Sequence, residues 1–126
     1  MNDELPISNL TPKDEVHVEE GILSVDIYAK DNSIVIISPV AGSSKENIEI
    51  IIQGDVLIIK GQRFPPEEVQ ENEYFRKECY WGPFSRTIVL PKNADKNGIK
   101  AFYENGILMI RIPKINTEET KKVSIE

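Results

Sequence analysis

Reactive side chains are scarce in this chain of 126 residues, which has one cysteine, Cys79, and one histidine, His17. A single cysteine cannot form an internal disulfide, which is typical of a protein from a reducing compartment. A catalytic triad or a zinc site needs several such residues at suitable spacing. The Gly-rich loops that hold nucleotide phosphates are also missing. We therefore expect no enzyme activity, no cofactor and no metal site.

Long apolar runs and an excess of positive charge are lacking as well. Apolar runs such as residues 34–37 are too short to cross a bilayer, and the acidic first residues precede no signal-peptide core, so we expect a cytoplasmic protein. The net charge of -6 argues against nucleic-acid binding, which needs clustered Lys and Arg. The acidic pair Glu67-Glu68 lies in a polar run, whereas an acid–base hydrolase would need buried carboxylates.

Asn105-Gly106 is the strongest hairpin signal, because both residues tolerate the positive φ of a tight turn between two strands. In the strand after this turn, Leu108, Ile110 and Ile112 share one face, which predicts the side that packs on the core. The opposite face is mixed. This region therefore predicts two antiparallel strands joined by a two-residue turn.

Alternating or continuous apolar residues predict further strands and an all-β fold. In the first of them, Leu23, Val25 and Ile27 are expected to share one face. The predicted strands lie at residues 23–28, 34–37, 48–52, 56–60 and 81–90. No stretch has the capped, amphipathic pattern of a helix.

Four short fragments occur in an informative order along residues 24–125. They are Leu57, Ile59 and Gly61; Gly82-Pro83-Phe84-Ser85-Arg86 with Leu90-Pro91; Ala101 with Asn105-Gly106-Ile107-Leu108 and Pro113-Lys114; and Val123-Ser124-Ile125. Together they resemble the α-crystallin domain of small heat-shock proteins and the terminal anchor that follows it. One departure is Ala41, which stands where the family usually has a proline before Gly42.

The resemblance implies an immunoglobulin-like β-sandwich, for which we predict seven to nine strands. We expect a flexible N-terminal arm at residues 1–21, the sandwich at residues 22–114 and a C-terminal extension at residues 115–126. The family uses its extension and a long loop for assembly, so the resemblance implies that both regions are interaction elements.

The longest polar insertion, residues 62–76, ends in the aromatic pair Tyr74 and Phe75. In bacterial and plant members of the family, a loop here carries a short strand that exchanges with a partner subunit. The resemblance implies that Tyr74 and Phe75 pair with residues 23–28 of the partner, and that Arg86 forms ion pairs in the dimer interface. From the residues alone, the loop can instead fold back on its own domain, and Arg86 needs a carboxylate or carbonyl partner.

Val123 and Ile125 lie on one side of an extended segment and can add beside a sheet edge. The alternative is a last strand docked on its own domain. Docking within one chain or between chains also stays open. The candidate receiving groove and client surface is formed by Ile50 and Ile52 on one strand and by Ala101 or Phe102 on another. The alternation of residues along the sequence does not decide whether Ala101 or Phe102 faces the groove.

These features predict an ATP-independent holdase that binds partly unfolded client proteins and prevents their aggregation. We expect a homodimer formed by loop exchange, with the tail available for larger assemblies. The alternative is a co-chaperone or scaffold module of the related CS-domain type, which binds one defined partner. That class generally lacks both the tail anchor and the long loop.

Overall fold

The computed structural model describes residues 21–115 and 122–126. Most of the predicted arm, including His17, and most of the polar segment before the tail lie outside the described residues. The division into arm, sandwich and extension therefore stays a prediction.

The described residues form eight strands and three short 3-10 turns, so the all-β prediction is confirmed. The strands are β1 (Gly21–Ile22), β2 (Asp26–Lys30), β3 (Ser33–Pro39), β4 (Ile48–Gln53), β5 (Val56–Arg63), β6 (Gly82–Val89), β7 (Lys100–Glu104) and β8 (Ile107–Pro113). The 3-10 turns are Lys45–Asn47, Glu71–Glu73 and Lys96–Gly98.

The strands build two four-stranded sheets that pack face to face as a sandwich. The first sheet has the order β1-β6-β5-β4 and the second has the order β2-β3-β8-β7. All pairs are antiparallel except β1 with β6. On one side of the sandwich, β4 and β7 are the edge strands of the two sheets, which positions the site described below.

The core lies between the sheets and follows the period of two that the sequence predicts. Leu57 and Ile59 of β5 and Ile110 and Ile112 of β8 are fully buried. Truncation of such residues to alanine typically costs about 2 to 5 kcal/mol. Their buried neighbours in the same cluster are Leu23, Ile34, Ile36, Val40, Phe84, Ile88, Leu90, Ala94 and Leu108.

The tight turns have the chemistry that their sequences predict. Asn105 and Gly106 have φ values of 51° and 75° and join β7 to β8. Asp31 and Asn32 have φ values of 52° and 57° and join β2 to β3. Positive φ at both central residues is the geometry that matches the right-handed twist of paired strands.

The prediction that Leu23, Val25 and Ile27 share one face of a single strand is wrong. Leu23 is buried and its amide donates to the Ser85 carbonyl at 3.1 Å, beside the first sheet. Ile27 is 49% exposed on β2, in the second sheet. The chain crosses between the sheets in between, where the Ser38 hydroxyl donates to the Ser24 carbonyl at 2.6 Å.

Candidate functional site

An open cleft of about 840 Å³ lies along the edge where β4 and β7 meet. Both strands are sheet edges, so neither is covered by a further strand in the described part of the chain. The residues that line the cleft are Lys45, Ile48, Ile50, Ala101, Phe102, Tyr103, Glu104, Asn105, Ile107, Leu108, Met109 and Arg111. Most of these are apolar, and the charged ones are few.

Strand register decides which side chains of β7 face the sandwich interior. Ala101 lies opposite Ile110, which is buried in the core, whereas Phe102 lies opposite Met109. Because directly opposed residues share a face of a sheet, Ala101 lies on the inner side and Phe102 on the outer side. The cleft therefore has an inner tract next to β4 and an outer tract over the second sheet.

Tyr103 fixes the loop at one end of the cleft. Its hydroxyl donates to the Val40 carbonyl and lies 3.4 Å from the Ser43 carbonyl. The Val40 amide donates to the Gly106 carbonyl at 2.6 Å. These bonds attach the segment that leads into β4 to the β7–β8 turn, so that the two edges stay close together.

The structure brings three of the four predicted groove residues together. Ile50, Ala101 and Phe102 line the cleft, with Ala101 on its inner and Phe102 on its outer tract. Ile52 is not among the lining residues and packs, half-buried, against the core.

Sequence reasoning did not single out four further lining residues for the groove: Ile48, Tyr103, Ile107 and Met109. The signal for Ile48 was available, because it shares a strand face with Ile50. The contribution of the other three residues to the cleft follows only from the pairing of β7 with β8 and from the position of β7 at the edge of the sheet.

The tail residues Val123 and Ile125 contact little of their own chain. Their exposed fractions are 77% and 98%. Two β-branched side chains on one side of an extended segment are thus uncovered in the single chain, and their apolar surface is available for a contact.

The long loop leaves large aromatic side chains exposed, Phe75 more than any other. Phe75 is fully exposed, whereas Tyr74 is half-buried and has the Lys77 ammonium 4.9 Å from its ring centre. Lys77 also donates to Glu71, and this hydrogen bond raises the pKa of the Lys77 ammonium above its ordinary value. The edge strand β2 is exposed along its whole length.

Of the two kinds of partner expected for Arg86, a carboxylate or a carbonyl, the structure shows a backbone carbonyl. Its Nη1 donates to the Leu23 carbonyl at 2.9 Å, so that the guanidinium ties β6 to the segment that crosses between the sheets. This contact satisfies part of a half-buried cation. The role of Arg86 in a dimer interface stays a prediction.

Neither a membrane span nor a metal cluster is found within residues 21–115 and 122–126. No helix there is long and apolar enough to cross a bilayer. The same residues contain no group of three or more His, Cys, Asp and Glu side chains placed to hold a metal ion.

A β-sandwich with an apolar edge cleft, an uncovered anchor-like tail and an exposed edge strand belongs to the class of protein-binding modules. Comparison with known proteins then gives the family. The Hsp20/alpha crystallin family profile matches residues 26–126, and the chain belongs to this family.

Curated relatives and solved structures agree with this assignment. The chain is 34% identical over 111 residues to small heat shock protein C4 of Rickettsia felis, which covers 86% of this chain and 68% of the relative. It is 33% identical over 103 residues to a 16.9 kDa class I heat shock protein of Oryza sativa, which covers 81% and 69% of the two chains. A small heat-shock protein structure from Xylella fastidiosa aligns with a TM-score of 0.73 at 30% identity and covers 86% of this chain and 99% of that one.

Family membership confirms several predictions. Members of this family are chaperones that work without ATP and are not enzymes, so the predicted chaperone class and the absence of an enzyme function are confirmed. Nothing in the comparisons favours the CS-domain alternative. Related structures are of small heat-shock proteins, whose α-crystallin domains are β-sandwiches, which confirms the predicted fold.

Proposed function

We propose that this chain is a holdase that captures partly unfolded proteins on the apolar surface of the cleft between β4 and β7. The observation that supports this proposal most directly is an open, mostly apolar cleft flanked by two unpaired sheet edges. An unfolding protein exposes apolar segments with free backbone groups. Such a segment can bury side chains in the cleft and pair its backbone with an edge strand. Binding of this kind needs no nucleotide.

We also propose that the tail occupies the inner tract of the cleft when no client is bound. Val123 and Ile125 have the same spacing along an extended segment as Ile48 and Ile50 along β4. Burial of two aliphatic side chains contributes roughly 3 to 6 kcal/mol before ordering costs. Those costs remove much of the gain, so each contact is weak and reversible. Several contacts in one oligomer become strong through effective concentration.

The tail has the reach to dock in its own cleft as well as in a neighbour's. Eight residues lie between Lys114 and Val123. The nine residue-to-residue steps allow roughly 30 Å of extended chain. The centre of the cleft lies only about 13 Å back along β8 from Pro113. We propose docking between chains, because it links subunits into the oligomers that the family forms.

We propose that the dimer forms by loop exchange, with Tyr74 and Phe75 of one chain placed beside β2 of the other. Support comes from the full exposure of Phe75 and from the bare edge of β2. Client proteins of the cytoplasm are the expected targets, in agreement with a single exposed thiol at Cys79.

The proposal is tested by light scattering of an aggregation-prone enzyme during heating, with and without this protein. At a one-to-one ratio of subunits we expect strong suppression of scattering, with no effect of added ATP. The control is the same assay with an unrelated acidic protein of similar size. No suppression at this ratio would contradict the proposed holdase function.

A further inference from the structure

The outer face of the second sheet, which points away from the core, is more apolar than a solvated face of an antiparallel sheet normally is. Strand register gives two rows that run straight across it. They are Tyr28, Val35, Arg111 and Lys100 in one row, and Asp26, Ile37, Met109 and Phe102 in the next. We call the group Ile37, Phe102, Ile107 and Met109 the outer patch. All of these except Ile37 also line the cleft and belong to its outer tract.

Burial along these rows indicates a contiguous apolar surface. Phe102 and Ile107 are exposed, whereas Ile37 and Met109 are half-buried. Val35, which alternates with core residues and so lies on this outer side, is nevertheless fully buried. Contiguous apolar surface of this kind marks an interaction site more often than a free surface.

Two cations lie next to the outer patch without an acidic partner. Lys100 and Arg111 are directly opposite each other on β7 and β8. Like charges in that position destabilise a strand pair. Among the described residues, the salt bridges join other groups, and neither Lys100 nor Arg111 forms one. An acidic segment placed over this face would offset the repulsion while it covers the patch.

We propose that residues 1–20 of this same chain cover the outer patch when no client occupies the outer tract of the cleft, an inference that rests on the proposed function. This segment has six acidic side chains and one lysine, together with scattered apolar residues. Four of the acids, Asp14, Glu15, Glu19 and Glu20, lie immediately before β1. Both parts of the surface, apolar and cationic, are therefore matched by the composition of one segment.

The point of attachment allows this placement. The segment joins the sandwich at Gly21 in β1, and β1 and β2 are edge strands on the same side, opposite the cleft. From β2 to β7 the sheet spans three strand spacings, about 14 Å. Seven residues from Asp14 to Glu20 extend to about 23 to 25 Å. The path from Gly21 also crosses the roughly 10 Å between the two sheets, which gives about 24 Å in all. Glu19 and Glu20 are too close to Gly21 to cover this distance, whereas Asp14 reaches it when extended and Asp3 and Glu4 reach it with chain to spare.

Zero-length carbodiimide coupling of the full chain tests the proposal, because it joins an amine to a carboxylate in direct contact. Peptide mass spectrometry is expected to find Lys100 joined to acids of residues 1–20. The Lys96–Asp55 pair, with Nζ and Oδ1 2.8 Å apart, is the internal positive control. If Lys96–Asp55 couples but Lys100 couples to nothing, or couples to the long loop or to Glu126, the proposal is overturned.

Removal of one positive charge gives a second test. Arg111→Gln is expected to lower the coupling between Lys100 and residues 1–20, whereas Arg111→Lys, which keeps the charge, is expected to retain it. The matched control is Lys60→Glu, which changes an exposed lysine on the outer side of the first sheet and should leave the coupling unchanged. Lys96–Asp55 coupling in each variant reports that the sandwich is folded. Equal coupling in Arg111→Gln and the unmodified chain would contradict the proposal.

Discussion

Gly61 and Phe84 come from two separate motifs of the sequence and lie directly opposite each other on β5 and β6. A Cβ added at Gly61 would lie 2.2 Å from the Phe84 ring. Phe84 is fully buried, with its ring in the space that a side chain at position 61 would need and with the Arg63 guanidinium 5.4 Å from the ring centre. The glycine of one motif is therefore explained by the phenylalanine of the other, which sequence reading alone does not reveal.

Gly61→Ala is accordingly expected to destabilise the sandwich. The ring is enclosed by the core and cannot move away freely, and overpacking of this kind costs about 1 to 3 kcal/mol. For a domain of this size, each kcal/mol lowers the midpoint of thermal unfolding by about 4 to 8 °C. Circular dichroism during heating measures the shift.

The matched control is Lys60→Ala, one residue away with an exposed side chain. Its unfolding midpoint is expected to stay near that of the unmodified chain. A midpoint for Gly61→Ala equal to that of Lys60→Ala would contradict the packing argument.

Among the elements, those with a clear period and a specific turn were predictable from sequence. The β7–β8 hairpin follows from Asn105-Gly106, and its buried face follows from Leu108 and its alternate neighbours. The segment from Leu23 to Ile27 was not predictable in this way. A period of two cannot report that a chain leaves one sheet and enters the other, since Leu23 before the crossing and Ile27 after it keep the same alternation along the sequence.

The cleft was predictable in composition but not in geometry. Ala101 and Phe102 are both exposed, because β7 is an edge strand, so sequence alone could not assign either of them to the inner side. Register with the buried Ile110 makes that assignment. The lining by Met109 and Tyr103 likewise depends on pairing between strands, which a single sequence does not contain.

The tail is the element whose change gives the clearest test of assembly. Val123→Gly with Ile125→Gly removes the two uncovered apolar side chains and is expected to reduce the particle toward dimers, because the anchor between subunits is lost. Multi-angle light scattering measures the mass. Ser124→Gly is the matched control for backbone freedom at the same position and should keep the mass unchanged.

A double variant with unchanged mass would contradict docking between chains. If its mass is unchanged and its cleft becomes more accessible to an apolar dye, the tail docks within its own chain. In either case the chaperone assay remains a separate test of client binding.

At the scale of the whole molecule, the two sheets bury a core between them but leave several apolar elements uncovered. Phe75, the edge strand β2 and the tail all lie at the surface of the single chain. A chain with this distribution gains from association, because each contact removes apolar area from water and satisfies an unpaired edge. The net charge of -6 works in the opposite direction and keeps the particles apart at long range.

Phe75→Ser is expected to weaken the dimer, because the exposed ring loses its contact area beside β2 of the partner. Aromatic residues at the centre of an interface typically contribute about 2 kcal/mol or more, which corresponds to roughly a thirtyfold higher dissociation constant. Sedimentation over a range of protein concentrations measures this constant. Phe64→Ser is the matched control, because Phe64 is another exposed phenylalanine of the same long loop, but its amide holds it to the Gly42 carbonyl of its own sandwich at 2.7 Å. Equal dissociation constants for the two variants would mean that the loop packs on its own chain and that the dimer forms through another surface.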